Sequence, residues 1–111
     1  MIYAIQMGNG PVKIGKAKNP RSRLRELSTG SPYVLKLLAA VDWHDSNERL
    51  LHQYLRFYRL RGEWFEPSDE VLTVVERMES GSEGFYGLMS EISNDPEAVK
   101  LAFGEVTVPQ K

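Results

Sequence analysis

Residues 12–27, VKIGKAKNPRSRLREL, constrain this chain more than any other stretch. Six cations (Lys13, Lys16, Lys18, Arg21, Arg23, Arg25) come before the first acid, Glu26. The opening Val-Lys-Ile-Gly has the pattern of a strand. Asn19 followed by Pro20 reads as a helix start: an N-cap side chain, then a proline whose preset φ and missing N–H suit the first helical position. The charges therefore sit on fixed elements. Fixed cations suit a phosphodiester backbone, and the plainer reading of the same residues is a solvated basic face.

At 111 residues and 41% hydrophobic, the chain has room for one core. It has no cysteine, which excludes disulfide scaffolds and thiolate metal sites. The opening MIYAIQMGNG lacks the charged start and apolar run of a signal peptide. No apolar stretch approaches the roughly 18 residues of a membrane helix. A cytoplasmic protein that engages no membrane is the expectation. The net charge of −1 conceals a split, with residues 1–61 at +7 and residues 62–111 at −8. The near-neutral total therefore says nothing against a polyanionic partner.

Residues 2–15 read as a hairpin across Gly8-Asn9-Gly10-Pro11, its first strand apolar on both faces. A helix follows from Pro20, with Leu24 and Leu27 inward, and ends near Thr29-Gly30. Tyr33 to Val41 reads as a third strand. Leu50, Leu51, Tyr54, Leu55 and Tyr58 keep helical spacing, which predicts a helix over about 46–60 that Gly62 stops. Trp64 and Phe65 read as an aromatic plug, and Ser68 opens another helix. Beyond Ser80, Gly81, Ser82, Gly84 and Gly87 suggest a loop before a short helix at Asp95-Pro96-Glu97. The expected division is a domain over 1–79 and an acidic extension, loop plus short helix, over 80–111. The expected fold class is α+β with a small antiparallel sheet.

Three constellations offer chemistry. Tyr3 and Lys13 lie on paired strands, where an ammonium beside a phenol would lower the cost of a phenolate; the bland alternative is an ordinary half-buried strand tyrosine. Arg23, early in its helix, offers a guanidinium fork for phosphate oxygens, and by itself it is equally a surface arginine. Glu48 and His52 share a helix face at i, i+4, with Arg56 one turn on. One carboxylate with water and a phosphate oxygen is how magnesium is usually held, whereas an exposed Glu–His contact is the structural alternative. Lys16, Lys18, Arg21, Arg25 and Arg56 are the remaining candidate substrate contacts.

Taken in order, IYAI at 2–5, VKIG at 12–15, NPRSRLREL, ERLLH at 48–52 and GEWF at 62–65 resemble the GIY-YIG nuclease superfamily. The likeness is to its compact phage and bacterial branch, with a KIG second motif, and covers about residues 1–75. Met1-Ile2-Tyr3 stands in place of Gly-Ile-Tyr, Lys13 in place of the second motif's usual tyrosine, and the asparagine that often follows the metal-binding carboxylate has no clear equivalent.

The resemblance implies a central three-stranded antiparallel sheet flanked by helices, and a DNA endonuclease using Mg²⁺ or Mn²⁺. It implies Tyr3 as general base or water orienter, Lys13 beside it, and Arg23 on the phosphate. It further implies Glu48 as the metal ligand, His52 as a motif residue, and Gly15 where the backbone passes close to a neighbour. The alternative is a catalytically inactive nucleic-acid-binding or regulatory module on the same fold; a protein-interaction domain working through the acidic half is the third. Base-sequence recognition would come from the tail, a homodimer or a targeting partner, if it exists.

Overall fold

A computed structural model of the protein describes residues 1–104. The hairpin forms as its pattern predicts. β1 (Ile2–Met7) and β2 (Val12–Lys16) pair antiparallel, turning at Gly8, whose φ of +56° an L side chain rarely adopts. α1 (Pro20–Ser28) starts on the predicted cap, with Asn19 Oδ1 accepting from the Ser22 N–H at 3.1 Å. β3 (Leu35–Val41) pairs with the other edge of β1. It begins later than Tyr33 because Ser31 Oγ engages both the N–H and the carbonyl of Tyr33, holding a local turn there.

The sheet corrects the three-stranded expectation. α2 (Asn47–Tyr54) stops well short of residue 60. A 3-10 turn over Arg56–Tyr58 follows, and the chain then extends as β4 (Arg59–Arg61), reverses at Gly62 (φ +56°) and returns as β5 (Trp64–Phe65). The sheet is five-stranded and antiparallel, in the order β3-β1-β2-β5-β4. The helical reading of 55–60 fails for a physical reason. Leu55 and Tyr58 are three apart, a spacing that a 3-10 turn satisfies as well as an α-helix does. The supposed plug is a strand paired to β2, with Phe65 fully buried.

α3 (Asp69–Glu79) is capped by Ser68 as expected. The predicted loop after Ser80 is instead α4 (Gly81–Ser93). Its Phe85, Leu88, Met89 and Ile92 repeat at helical spacing and are buried. The glycines that suggested a loop make room for α3. Arg77 Nε donates to the Gly84 carbonyl at 3.0 Å, and a Cβ on Gly87 would lie 2.7 Å from Arg77 Nη2. α5 (Pro96–Phe103) starts, as predicted, on the Asp95 cap.

Sheet residues Ile2, Ala4, Val12 and Ile14 share one core with Leu51 of α2, Val71 of α3, Phe85 of α4 and Ala98 of α5. Residues past 80 thus help to close the core that supports the sheet. No helix among the described residues is long and apolar enough to cross a membrane.

Phe85 is fully buried, with its ring edge-on to Trp43 at 5.3 Å. Phe85→Ala is expected to cost about 3–5 kcal/mol in urea denaturation, the usual range for truncating a buried aromatic. A loss below about 1 kcal/mol, the level of an ordinary surface change, would show that α4 lies outside the cooperative unit.

Candidate active site

Strand alternation sorts the hairpin into two faces. Ile2, Ala4, Val12 and Ile14 enter the core; Tyr3, Lys13 and Gly15 take the opposite face. Tyr3 is directly across from Gly15. A Cβ on Gly15 would lie 2.5 Å from the Tyr3 hydroxyl, 2.6 Å from Cζ and 3.1 Å from Glu63 Oε1. The phenol therefore lies over the glycine, and a carboxylate meets it there. The close approach expected at Gly15 exists, and the neighbour is Tyr3.

Lys13 does not pair with the phenol. It faces Ile5 across the hairpin and Trp64 on its other side. Its Nζ donates to Glu63 Oε1 at 2.7 Å and lies 5.8 Å from the Trp64 ring centroid. Adding β5 to the sheet brings Glu63 alongside Lys13 and takes the ammonium that sequence reasoning assigned to Tyr3. Arg23 fills the vacant role, lying near enough to the Tyr3 side chain to favour its phenolate while Nη1 donates to Glu26 Oε2 at 3.0 Å. Burial pushes the Tyr3 hydroxyl above its ordinary range, Arg23 opposes that, and the Glu63 and Glu48 carboxylates add to it. The expected depression by Lys13 is thus reversed, and Tyr3 is a protonated phenol at neutral pH.

Glu48, in the first turn of α2, is 7% exposed, and its Oε2 is buried with no hydrogen-bond partner among the described residues. Burial raises its pKa and Glu63 adds to that, against Lys16 and Lys13. A buried carboxylate oxygen without a donor is costly, and it is a hard ligand of the kind Mg²⁺ or Mn²⁺ takes. His52, one turn further on, has Nε2 2.7 Å from the Ile14 carbonyl and its ring edge-on to Phe65 at 5.2 Å. A carbonyl only accepts, so Nε2 carries the hydrogen. Burial holds the imidazole below its ordinary pKa, hence neutral. His52 thereby fastens α2 to β2 and sets where Glu48 stands.

Of the other candidate contacts, Lys16, Lys18, Arg21 and Arg25 are exposed on β2, the following turn and α1. Arg56 does not continue the Glu48–His52 stripe. α2 has ended before it, its Nη1 donates to the Gln53 carbonyl at 2.6 Å, and its guanidinium lies over Phe57 at 4.6 Å. Glu63 is the residue that sequence reasoning left out of the site. The available signal was an acid directly ahead of a two-residue aromatic strand, and the ion pair it forms with Lys13 is what brings it in.

A small α+β domain that gathers a tyrosine, an arginine, an ion pair and an unpartnered carboxylate around the central strands of its sheet is compatible with a nuclease-like, DNA-binding protein. Residues 1–79 match the sequence model of the T5orf172 domain, and the chain belongs to that family. The domain occurs in phage and bacterial nuclease-like proteins and is related to GIY-YIG-like endonucleases. No curated protein and no solved structure matches the chain.

Because its folded-state pKa is raised, Glu48 binds a proton more readily in the folded protein than in the unfolded chain. Its contribution to stability is therefore largest below the ordinary glutamate range and shrinks as pH rises through the raised value. In buffer free of divalent cations, Glu48→Gln should raise the melting temperature relative to wild type by an amount that grows between pH 4 and pH 8. A difference that is flat or shrinks across that range would show that Glu48 is stabilising as a carboxylate.

Proposed function

We propose that this domain hydrolyses DNA phosphodiester bonds, with one divalent cation held on Glu48. The observation that carries the reading is the buried, donorless Glu48 Oε2, set beside groups that can hold a phosphate and a water. Among the described residues no cluster of three or more His, Cys, Asp or Glu side chains forms. One carboxylate, with water and substrate oxygens completing the shell, is the pattern magnesium tolerates best. When bound there, the cation would supply positive charge toward the phosphate and its leaving oxygen.

Arg23 is placed to take the phosphate. Its pair with Glu26 is an exposed i, i+3 contact, a type worth only about 0.3–0.5 kcal/mol. A phosphate, offering charge-assisted bidentate bonds, displaces it at little cost. Tyr3 enters protonated and orients the attacking water through its hydroxyl, with Gly15 leaving it room. Glu63, paired with Lys13 and lying over the same glycine, accepts the water's proton. As the O–P bond forms and the P–O3′ bond breaks, the electron pair leaves on the 3′ oxygen, which takes its proton from solvent. Lys13 holds Glu63 in position, and His52 acts through α2 without touching the phosphate that is cut.

Purified protein with supercoiled plasmid and Mg²⁺ or Mn²⁺ should nick the DNA, and EDTA should stop it. Glu48→Gln and Arg23→Ala should each lower the rate by about 10² to 10⁴, the scale of losing one group that stabilises transition-state charge. Glu63→Gln should lower it by about 10² to 10⁴, the contribution of a general base. Full activity in Glu48→Gln would overturn the metal assignment. Salt-sensitive DNA binding without nicking would instead make this chain a binding module on a nuclease-like fold.

A further inference from the structure

A second concavity lies outside the residues just described. Arg49, His52 and Gln53 of α2, Arg59 of β4, and Leu101 and Phe103 of α5 line a cavity of about 460 Å³. Three observations make it more than a surface dip. Arg49 and Arg59 approach it from different elements, and neither has an acidic partner among the described residues. Arg59 is close enough to His52 to add, as a lesser cause beside burial, to the preference of the imidazole for its neutral form. Among the described residues, no Asp or Glu lines the cavity. Two unneutralised forks converging on a hollow with a glutamine beside them are complementary to the oxygens of one phosphate. Leu101 and Phe103, 47% and 46% exposed, supply an apolar rim of the kind on which a sugar or base rests.

We infer that this pocket between α2, β4 and α5 is a second phosphate-binding site, taking a backbone phosphate of the nucleic-acid strand away from the one that is cut. The inference rests on the nucleic-acid reading above but not on catalysis. His52 is the shared wall, since its Nε2 faces the Ile14 carbonyl while its ring borders the pocket. Glu48 stands one helical turn away. The far wall, α5, lies beyond the residues that match the family, so this part of the surface is built jointly by the family domain and the helix that follows it.

The test uses the full chain without divalent cations, so that cleavage plays no part. Binding of a fluorescent duplex is followed by anisotropy from 50 to 300 mM salt for wild type, Arg49→Ala/Arg59→Ala, and Lys36→Ala as a single-charge control on the opposite sheet edge. The double variant should bind about tenfold more weakly and lose about one unit of log–log salt slope, the loss of one phosphate contact. Lys36→Ala should change neither by that much. Arg49→Lys/Arg59→Lys should recover most of the slope and little of the affinity, since point charges replace forks.

In parallel, inorganic phosphate is titrated while backbone amide shifts are recorded. Saturable shifts confined to α2, β4 and α5 support the pocket; shifts spread over the basic segment, or none, overturn it. Saturable local shifts with an unchanged DNA slope overturn the strand assignment, leaving a site for a free phosphate compound. Wild type that binds no DNA would remove the nucleic-acid reading itself, and the phosphate titration would still judge the pocket.

Discussion

A missing side chain at Gly15 decides what can assemble on this sheet. Antiparallel register sets Tyr3 against Gly15, and only the absence of a Cβ lets the phenol lie down across β2. From that position the hydroxyl meets Arg23 on one side and the Glu63 carboxylate on the other. Any side chain at Gly15 would lift the ring, and the arginine and carboxylate would lose the group that joins them. Dense packing makes such a displacement propagate, because neighbours have no free volume to absorb it.

Two further contacts bring the rest of the site to that ring, and both use β2. Its outer edge carries β5, which delivers Glu63 onto Lys13. The Ile14 peptide is held from two directions, its N–H donating to the Glu63 carbonyl and its carbonyl accepting from His52. One residue of one strand thus fixes both the β4–β5 hairpin and α2. His52 is best understood through that bond: it is half-buried, neutral, and bound to a backbone group where a reacting imidazole would be free.

Local rules carried most of the framework. The hairpin, the Asn19-Pro20 start and the Ser68 and Asp95 caps each follow from chemistry within a few residues, and each forms; the close approach at Gly15, implied by the family resemblance, forms as well. What escaped the sequence is long-range. Residues 59–61 read as the end of a helix because Leu55 and Tyr58 fit its period; their fate depends on Phe65 pairing with Val12, which no local pattern encodes. The glycines of α4 read as a loop because their purpose lies on another helix, in Arg77. Around Gly15, the residues Tyr3, Arg23 and Glu48 stood out by type and spacing, each with a bland alternative, and the family resemblance gave them roles. Lys13 was matched to the wrong partner, since the strand bearing its true one had not been recognised as a strand.

The basic segment, so prominent in the sequence, does not make the site basic. Lys13 is spent on Glu63 and Arg23 is shared with Glu26. Glu48 lies among charges of both signs, with Glu63 and Asp45 set against Lys16 and Lys13. Its raised pKa comes first from burial and then from Glu63, so its charged form is disfavoured until positive charge arrives. A phosphate approaching alone would meet the Glu48 and Glu63 side chains at the centre. A cation arriving on Glu48 would offset them. The exposed cations, Lys16, Lys18, Arg21 and Arg25, act over a different range. They attract a polyanion across distances up to about the Debye length of 8 Å at physiological salt. On the proposed reading the two tasks are therefore separated in space. Exposed lysines and arginines gather the strand regardless of metal, and the acidic centre leaves the cut conditional on a cation.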